Sequence, residues 1–498
     1  MIAWGVTALS HDAALAVVHD GRLVFAAHAE RYSRTKNDAM LCDELVEDAL
    51  QWGRPDVVVW YERPFVKKLR QVVAGQFGDV IERRTVPRAY LRSVLKRVGV
   101  PVRHVDLEYC EHHRSHALAG TSTAPFTAGA VLVADAIGEF TTMSIWAFES
   151  SPFRLERLRQ WRYPDSLGLL YSAVTRRCGY RPNEEEYIIM GLAAYGRPVH
   201  KERLIEDFLV SADHDWSLRR NVHRGIGSWL PEATDADLAA SVQHVTDSIM
   251  TACARYAVTQ SGTGNLVLSG GVALNCVANS RIAELPEVSN IHIFPNPGDA
   301  GSSVGAAASV LSSPLEWPDG PYLGKGIDGE YPVDDLLGEL LDGGIAGVAS
   351  GRAEFGPRAL GNRSILADPR CADMKDRVNK YKGREPFRPF APVVRQEDLA
   401  NYFCLPVQSS PYMQFTAMAK EPDVIPAVCH VDGTSRVQTV SAVQHPALYE
   451  LLTRWEQQTG CGVLLNTSMN GRGEPLVNSA GDADRFAARS GLPVYKND

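Results

Sequence analysis

Apolar residues over 2–9 predict a strand, the polar Ser10-His11-Asp12 a turn, and residues 13–18 a second strand. Asp20-Gly21 then predicts a tight turn into a third strand over 23–27. The pattern returns more than a hundred residues later. An apolar run over 128–134 leads into the turn Asp135-Ala136-Ile137-Gly138-Glu139 and a further strand over 143–148. Two strand–polar turn–strand units predict an internal duplication. Residues 111–120 read as a helix. Residues 265–268 read as a strand that passes through Ser269-Gly270-Gly271 into a helix over 272–284. Residues 295–305 form a Gly/Pro/Asp loop entering a helix of small residues over 306–311. Residues 312–330 are rich in Pro, Gly and Ser and read as a linker. Beyond them the motifs are dense in Arg, Lys, Asn and Ser. The expected division is near residue 325, into domains 1–325 and 326–498.

Composition adds exclusions. The chain has 498 residues, enough for two large domains at roughly 100–200 residues each. With 45% apolar and 22% charged residues it is not a disordered chain, a collagen-like fibre or a long coiled coil. The net charge of −8 excludes a generic polyanion binder. Yet the stretch from Glu62 to His104 holds eleven Lys/Arg against three Asp/Glu. It reads either as a patch for phosphates or nucleic acid, or as a solvated helix face. The nine cysteines are scattered with no Cys-x-x-Cys pair, which points to a reducing compartment. The first residues lack a basic n-region and cleavage site, and no apolar run approaches the ~20 residues of a membrane span. A soluble, cytoplasmic protein with no membrane partner is expected.

Candidate chemistry begins at EHHRSHA. His112 and His116 stand at i, i+4, so on a helix both imidazoles face one way, one turn apart. That spacing serves a transition metal or a hydrogen-bonded pair. His113 faces elsewhere. Asp135 ends an apolar strand, and Asp299 sits in NPGDAGSS at the opening of a helix, both where a carboxylate reaches a cleft. Two His and two Asp suit Fe(II), Mn(II) or Zn(II). Gly270 and Gly271, with Asn275 beyond, form a strand–turn–helix junction that admits a nucleotide, or a plain tight turn. His11, beside Asp12 at the first hairpin tip, reads as a general base or as an exposed turn histidine.

The ordered set SHDAALAVVHDG, AERYSRTK, HHRSHA, VADAIGE, MGLAAYG, LSGGVALNC, PGDAGSSVGAA, EFGPRALGNRSILADPR, KGREPFRPFAP, HVDGTSRVQTV and LLNTSMNGRGEP covers almost the whole chain. It resembles the O-carbamoyltransferases of the nodulation-factor, cephamycin and aminoglycoside type. The resemblance implies an α/β protein in two parts. The N-terminal part would be a duplicated actin/Hsp70/sugar-kinase-like domain, like that of the threonylcarbamoyltransferase. The C-terminal part would be a YrdC-like α/β domain. It implies transfer of a carbamoyl group from carbamoyl phosphate, through a carbamoyladenylate made with ATP and magnesium, to an acceptor hydroxyl. It further implies His112, His116, Asp135 and Asp299 as metal ligands, most often for iron(II). His11 would be the base toward the acceptor, and the SGGVALN loop the nucleotide site. The chain departs from the pattern at Met469 (usually Phe), at Ile188 (usually Lys) and at Ala29 (usually Glu). The first is expected to be a packing change, the other two to reshape the acceptor side.

The C-terminal residue types fit polyanionic substrates. Arg358, Lys382, Arg384, Arg388 and Arg436 supply charge, and Asn466, Ser468 and Asn470 supply small neutral groups. Ion pairing within the fold is the competing role, above all for Arg384, which precedes Glu385. Two other functions remain open: a tRNA threonylcarbamoyl-type enzyme, and a non-enzymatic actin-like nucleotide-binding regulator. The expected acceptor is a hydroxylated small molecule, such as an antibiotic or a sugar, or hydroxymethylated DNA, such as 5-hydroxymethylcytosine. A homodimer is compatible with the size.

Overall fold

The computed structural model describes residues 1–74, 86–101, 103, 105–384 and 388–496. The chain forms two compact units. The first holds residues 1–29 and 37–318, the second residues 30–36 and 319–498. The change of unit therefore falls at Pro318/Asp319. The expected linker is structured, because Tyr322–Ile327 within it is a strand paired antiparallel with Gly351–Glu354.

The first unit contains two five-stranded sheets of one topology. In the first sheet the order is Arg22–His28, Ala14–His19, Ile2–Thr7, Val57–Trp60, Asp106–Tyr109. The first three strands run antiparallel and the last two join in parallel. In the second sheet the order is Phe153–Arg162, Thr141–Ser150, Ala128–Gly138, Asn265–Ser269, Asn290–Ile293, with the same senses. The expected duplication is thus real, and this unit is a duplicated α/β domain. Val57–Trp60 is VVVW and wholly buried, as expected for a parallel strand covered on both faces.

Three local expectations are corrected. Asp135-Ala136-Ile137 is not a turn; it stays in strand Ala128–Gly138, where the register slips between Ala134 and Gly138, and the chain turns only at Glu139-Phe140. The predicted helix over 272–284 is two pieces, a short 3-10 turn Gly271–Leu274 and helix Cys276–Ala283, because Asn275 caps the second through Ala278 N. The small-residue helix begins earlier, at Ser302, and ends at Ala308. All seven of its residues are buried, none larger than Val304. It packs against strand Ile2–Thr7 and helix His112–Thr121. Gly305 is needed there, since a Cβ would stand 1.7 Å from Ser115 O.

The second unit centres on a six-stranded mixed sheet: Gln438–Val440, Ala391–Arg395, Val463–Ser468, Arg363–Ala367, Ile345–Ala349, Val494–Tyr495. Its side chains alternate between two cores. Val348, Leu366, Val393 and Leu464 meet the helices Val333–Asp342 and Pro446–Thr459. Ile345, Ile365, Val394, Val463 and Leu465 face the other way, toward Phe390, Phe403 and Phe486. Met469 lies in that second core at 0% exposure, in line with the expected packing change. Ile188 and Ala29 are also buried, in the first unit.

Candidate metal centre and cation site

Helix His112–Thr121 starts at the first histidine, so His112 and His116 leave its first turn on one face with ring centroids 4.8 Å apart. Strand Ala128–Gly138 brings Asp135 and the 3-10 turn Asp299–Gly301 brings Asp299. One donor atom from each of the four lies within 4.8 Å of the others, and all four residues are buried. His112 Nε2 is 3.3 Å from Asp135 Oδ2 and 3.5 Å from Asp299 Oδ1. His116 Nε2 is 3.3 Å from Asp299 Oδ1.

The tautomer of His116 follows from its other nitrogen. Nδ1 lies 3.1 Å from the carbonyl of Pro297, which can only accept, so Nδ1 carries the proton and the Nε2 lone pair faces the cluster. That lone pair is 3.1 Å from His112 Nε2. Two imidazole nitrogens converging with two carboxylates in a buried space fit a divalent ion, and a hydrogen-bonded second nitrogen is the usual support for such a ligand.

Burial opposes charge on His112, but Asp299 and Asp135 outweigh it and raise the imidazole to about 9. Burial also opposes ionisation of Asp135 and Asp299, yet the histidines hold both below the usual carboxylate range. His113 is held well below a normal histidine by burial and by its two histidine neighbours. Its Nδ1 meets Ser144 Oγ at 2.8 Å, away from the cluster as expected.

His11 stands half exposed at the rim, with Nε2 3.9 Å from Asp299 Oδ2 and Nδ1 3.0 Å from Asp12 Oδ2. Partial burial works against its charge, but Asp12 and Asp299 raise it to about 10. Gly270 makes a left-handed turn at φ 85°, and Gly271 N donates to Asp135 Oδ1 at 3.2 Å. The Gly-Gly junction therefore orients a carboxylate of the cluster. Asn275 caps helix Cys276–Ala283, and its Nδ2 donates to Gln243 Oε1 at 3.0 Å.

Glu139 was not among the expected site residues. It is buried, at φ 57°, and its Oε1 accepts from His112 N at 3.3 Å and from Arg63 N at 2.7 Å. The Arg63 guanidinium also pairs with it. Glu139 thus closes the N-terminus of the histidine helix. Its signal in the sequence is the acidic residue four positions after Asp135 in VADAIGE. Tyr61, likewise unexpected, is buried with its ring 5.2 Å from that of His112.

The basic stretch is only partly a surface. Arg63 pairs with Glu139, Lys67 with Glu62 and Arg97 with Asp43, and Arg70 is buried. Arg88, Arg92 and Lys96 are exposed on helix Pro87–Arg97. Residues 75–85, 102 and 104 of the stretch lie outside the described residues.

In the second unit Lys382 is 4% exposed at the end of helix Met374–Lys382. Its ammonium donates to Ser468 O, to Asn470 O at 3.2 Å and to Asn470 Oδ1 at 2.9 Å, and meets Ser468 Oγ at 3.1 Å. All four acceptors are neutral. Burial, with Arg384 and Arg388 nearby, pushes Lys382 well below the usual lysine range. A buried ammonium held only by neutral oxygens is stabilised by an anion. Arg384 Nε donates to Asn379 Oδ1 at 2.7 Å, and its guanidinium lies 4.2 Å from the Phe390 ring. Arg358 lies in the loop between strands Gly351–Glu354 and Arg363–Ala367, and Arg436 ends strand Thr434–Arg436. Asn466 Nδ2 donates to Gln438 Oε1 at 2.6 Å and to Ala359 O at 3.2 Å beside Arg358, while its buried Oδ1 makes no hydrogen bond.

A family model described as carbamoyltransferase N-terminus matches residues 55–308, and one described as carbamoyltransferase C-terminus matches residues 338–495. The chain is 32% identical to nodulation protein NolNO of Sinorhizobium fredii, over 95% of this chain and 76% of that protein. It is 29% identical to a 3'-hydroxymethylcephem-O-carbamoyltransferase of Amycolatopsis lactamdurans, over 97% of this chain and 95% of that one. The chain belongs to the carbamoyltransferase family. It is therefore a transferase enzyme, which removes the regulator alternative. Among solved structures, that of T. kodakarensis HypF covers 61% of this carbamoyltransferase and 46% of HypF at 15% identity, with a TM-score of 0.33. No helix among the described residues is long and apolar enough to cross a membrane.

Proposed function

We propose that this carbamoyltransferase is an ATP-dependent O-carbamoyltransferase. The observation that carries the reading is the buried convergence of His112, His116, Asp135 and Asp299, with His11 at its rim. The second unit, which we take as YrdC-like, supplies the activated group. Carbamoyl phosphate loses its phosphate to water, leaving carbamate. A carbamate oxygen attacks the α-phosphorus of magnesium-bound ATP, and pyrophosphate leaves. Lys382, Arg358, Arg384, Arg388 and Arg436 balance the charge, so that catalysis there is positioning and electrostatics.

In the first unit the acceptor hydroxyl attacks the carbonyl carbon of carbamoyladenylate, AMP leaves, and the hydroxyl proton passes to His11 Nε2. Asp12 orients that imidazole through Nδ1. The four buried donors would hold a divalent ion, assigned as iron(II) ahead of Mn(II) or Zn(II), which supplies Lewis-acid polarisation and a template. Burial opposes charge on His11, but Asp12 and then Asp299 raise it to about 10, so its base form gains as pH rises toward that value.

The acceptor is proposed to be a hydroxylated small molecule. Three cations of the basic stretch are already paired with carboxylates, which leaves less for a DNA backbone. All nine cysteines are thiols, which supports a cytoplasmic place. The test is incubation with carbamoyl phosphate, ATP, magnesium and iron(II), plus a cephem, an aminoglycoside, an oligosaccharide and hydroxymethylcytosine DNA. Mass spectrometry would read one added carbamoyl group on a small molecule. A gain on the DNA alone overturns the acceptor assignment. Activity with bicarbonate and threonine, and none with carbamoyl phosphate, overturns the reaction.

A further inference from the structure

The chain enters the second unit at Glu30 and leaves it at Lys36, almost three hundred residues before the rest of that unit begins. Two arginines in this segment reach the two loops that carry the proposed adenylation residues. Arg31 is 4% exposed, and its Nη2 donates to Gly356 O at 2.6 Å, two residues before Arg358. Its Nε and Nη1 make no hydrogen bond. Arg34 donates to Pro475 O at 2.9 Å and to Leu476 O, and its Nε lies 3.5 Å from Asp482. Those carbonyls follow Glu474, whose own carbonyl accepts from Asn470 Nδ2 at 2.7 Å. Asn470 in turn binds Lys382. One guanidinium therefore steadies the Arg358 loop, and the other steadies the loop behind Lys382. Arg34 also donates to Arg31 O at 3.3 Å, which joins the two supports.

We propose that Arg31 and Arg34 are positioning residues for carbamoyladenylate formation, supplied to the second unit by residues 30–36. The proposal rests on the reading that this unit forms the adenylate. Neither residue is assigned to touch substrate. Each fixes the backbone from which a substrate-binding group projects, and displacement of such a group by about 1 Å can cost about a hundredfold in rate.

The test uses the full chain with Arg31→Ala, Arg34→Ala and the corresponding lysine variants. Pyrophosphate release dependent on carbamoyl phosphate should fall about tenfold to a hundredfold in kcat/KM for the alanine variants. Arg34→Lys should recover only part of the loss, because one ammonium cannot span two carbonyls and a carboxylate. Transfer from supplied carbamoyladenylate, carried out in the first unit, should keep its wild-type rate. Hydrogen exchange should rise in residues 355–362 for Arg31→Ala and in residues 470–477 for Arg34→Ala. Wild-type pyrophosphate release in both alanine variants, or loss of transfer with release intact, overturns the proposal. If the unmodified protein releases no pyrophosphate, the adenylation reading fails by itself. Exchange then still decides whether the arginines hold the loops, and unchanged exchange overturns that too.

Discussion

His116 shows how one backbone contact sets the chemistry of a residue. The Pro297 carbonyl accepts a hydrogen bond from Nδ1–H, which leaves the Nε2 lone pair aimed at the other three ligand groups. His116→Ala should abolish carbamoyl transfer and lower bound metal, while pyrophosphate release persists. Metal analysis and the two half-assays check this. Gly138 is equally constrained, since a Cβ there would stand 1.9 Å from His112 Cδ2. Gly138→Ala should displace the imidazole and cost metal affinity about as much as losing a supporting contact, about 10–100-fold. Glu139→Ala removes the acceptor for the buried His112 N–H and the part-buried Arg63 N–H, and should destabilise the first unit by about 1–3 kcal/mol, read by denaturant unfolding.

At the scale of elements, one close helix contact governs the site. Helix Ser302–Ala308 lies close enough to helix His112–Thr121 that only Gly fits at 305. Gly305→Ala should cost about 1–3 kcal/mol through overpacking, with a parallel loss of bound metal because Asp299 opens that helix. The 27-residue helix Asp235–Ser261 carries a different constraint. Burial raises Asp247 to about 7, against a hydrogen bond from Gln243 Nε2 at 2.7 Å. A carboxyl raised in the folded state binds more protons folded than unfolded between about pH 4 and pH 7, so stability falls as pH rises through that window. Asp247→Asn should therefore raise the melting temperature more at pH 8 than at pH 5, and equal shifts would refute the assignment.

For the whole molecule, the proposed division of labour predicts separable losses. An iron-selective chelator, with magnesium in excess, should stop carbamoyl transfer and leave pyrophosphate release unchanged. Restoring the ion should raise the melting transition of the first unit in proportion to the logarithm of its concentration above Kd, since the ion binds only the folded site. Simultaneous loss of both half-reactions on chelation would place the metal in adenylation and refute the division.

The duplication was legible because paired apolar runs, continuously buried in the fold, recur in both halves. The candidate ligands were legible because i, i+4 histidines on a helix and carboxylates at strand and helix ends are local patterns. The two arms of AERYSRTK, Arg31 and Arg34, were not, nor was Glu139. Their roles lie in partners 27 to 442 residues away, Arg34 with Leu476 at the far limit. The helix cap made by Asn275 and the loop carbonyl held by Asn466 Nδ2 are likewise partners that residue type alone does not name. By itself the amino-acid sequence determined which groups could meet an ion or a phosphate, through side-chain chemistry and local period. Only the tertiary structure decided which of them meet, because hydrogen-bond partners and close approaches are set by chain crossings that no local pattern records.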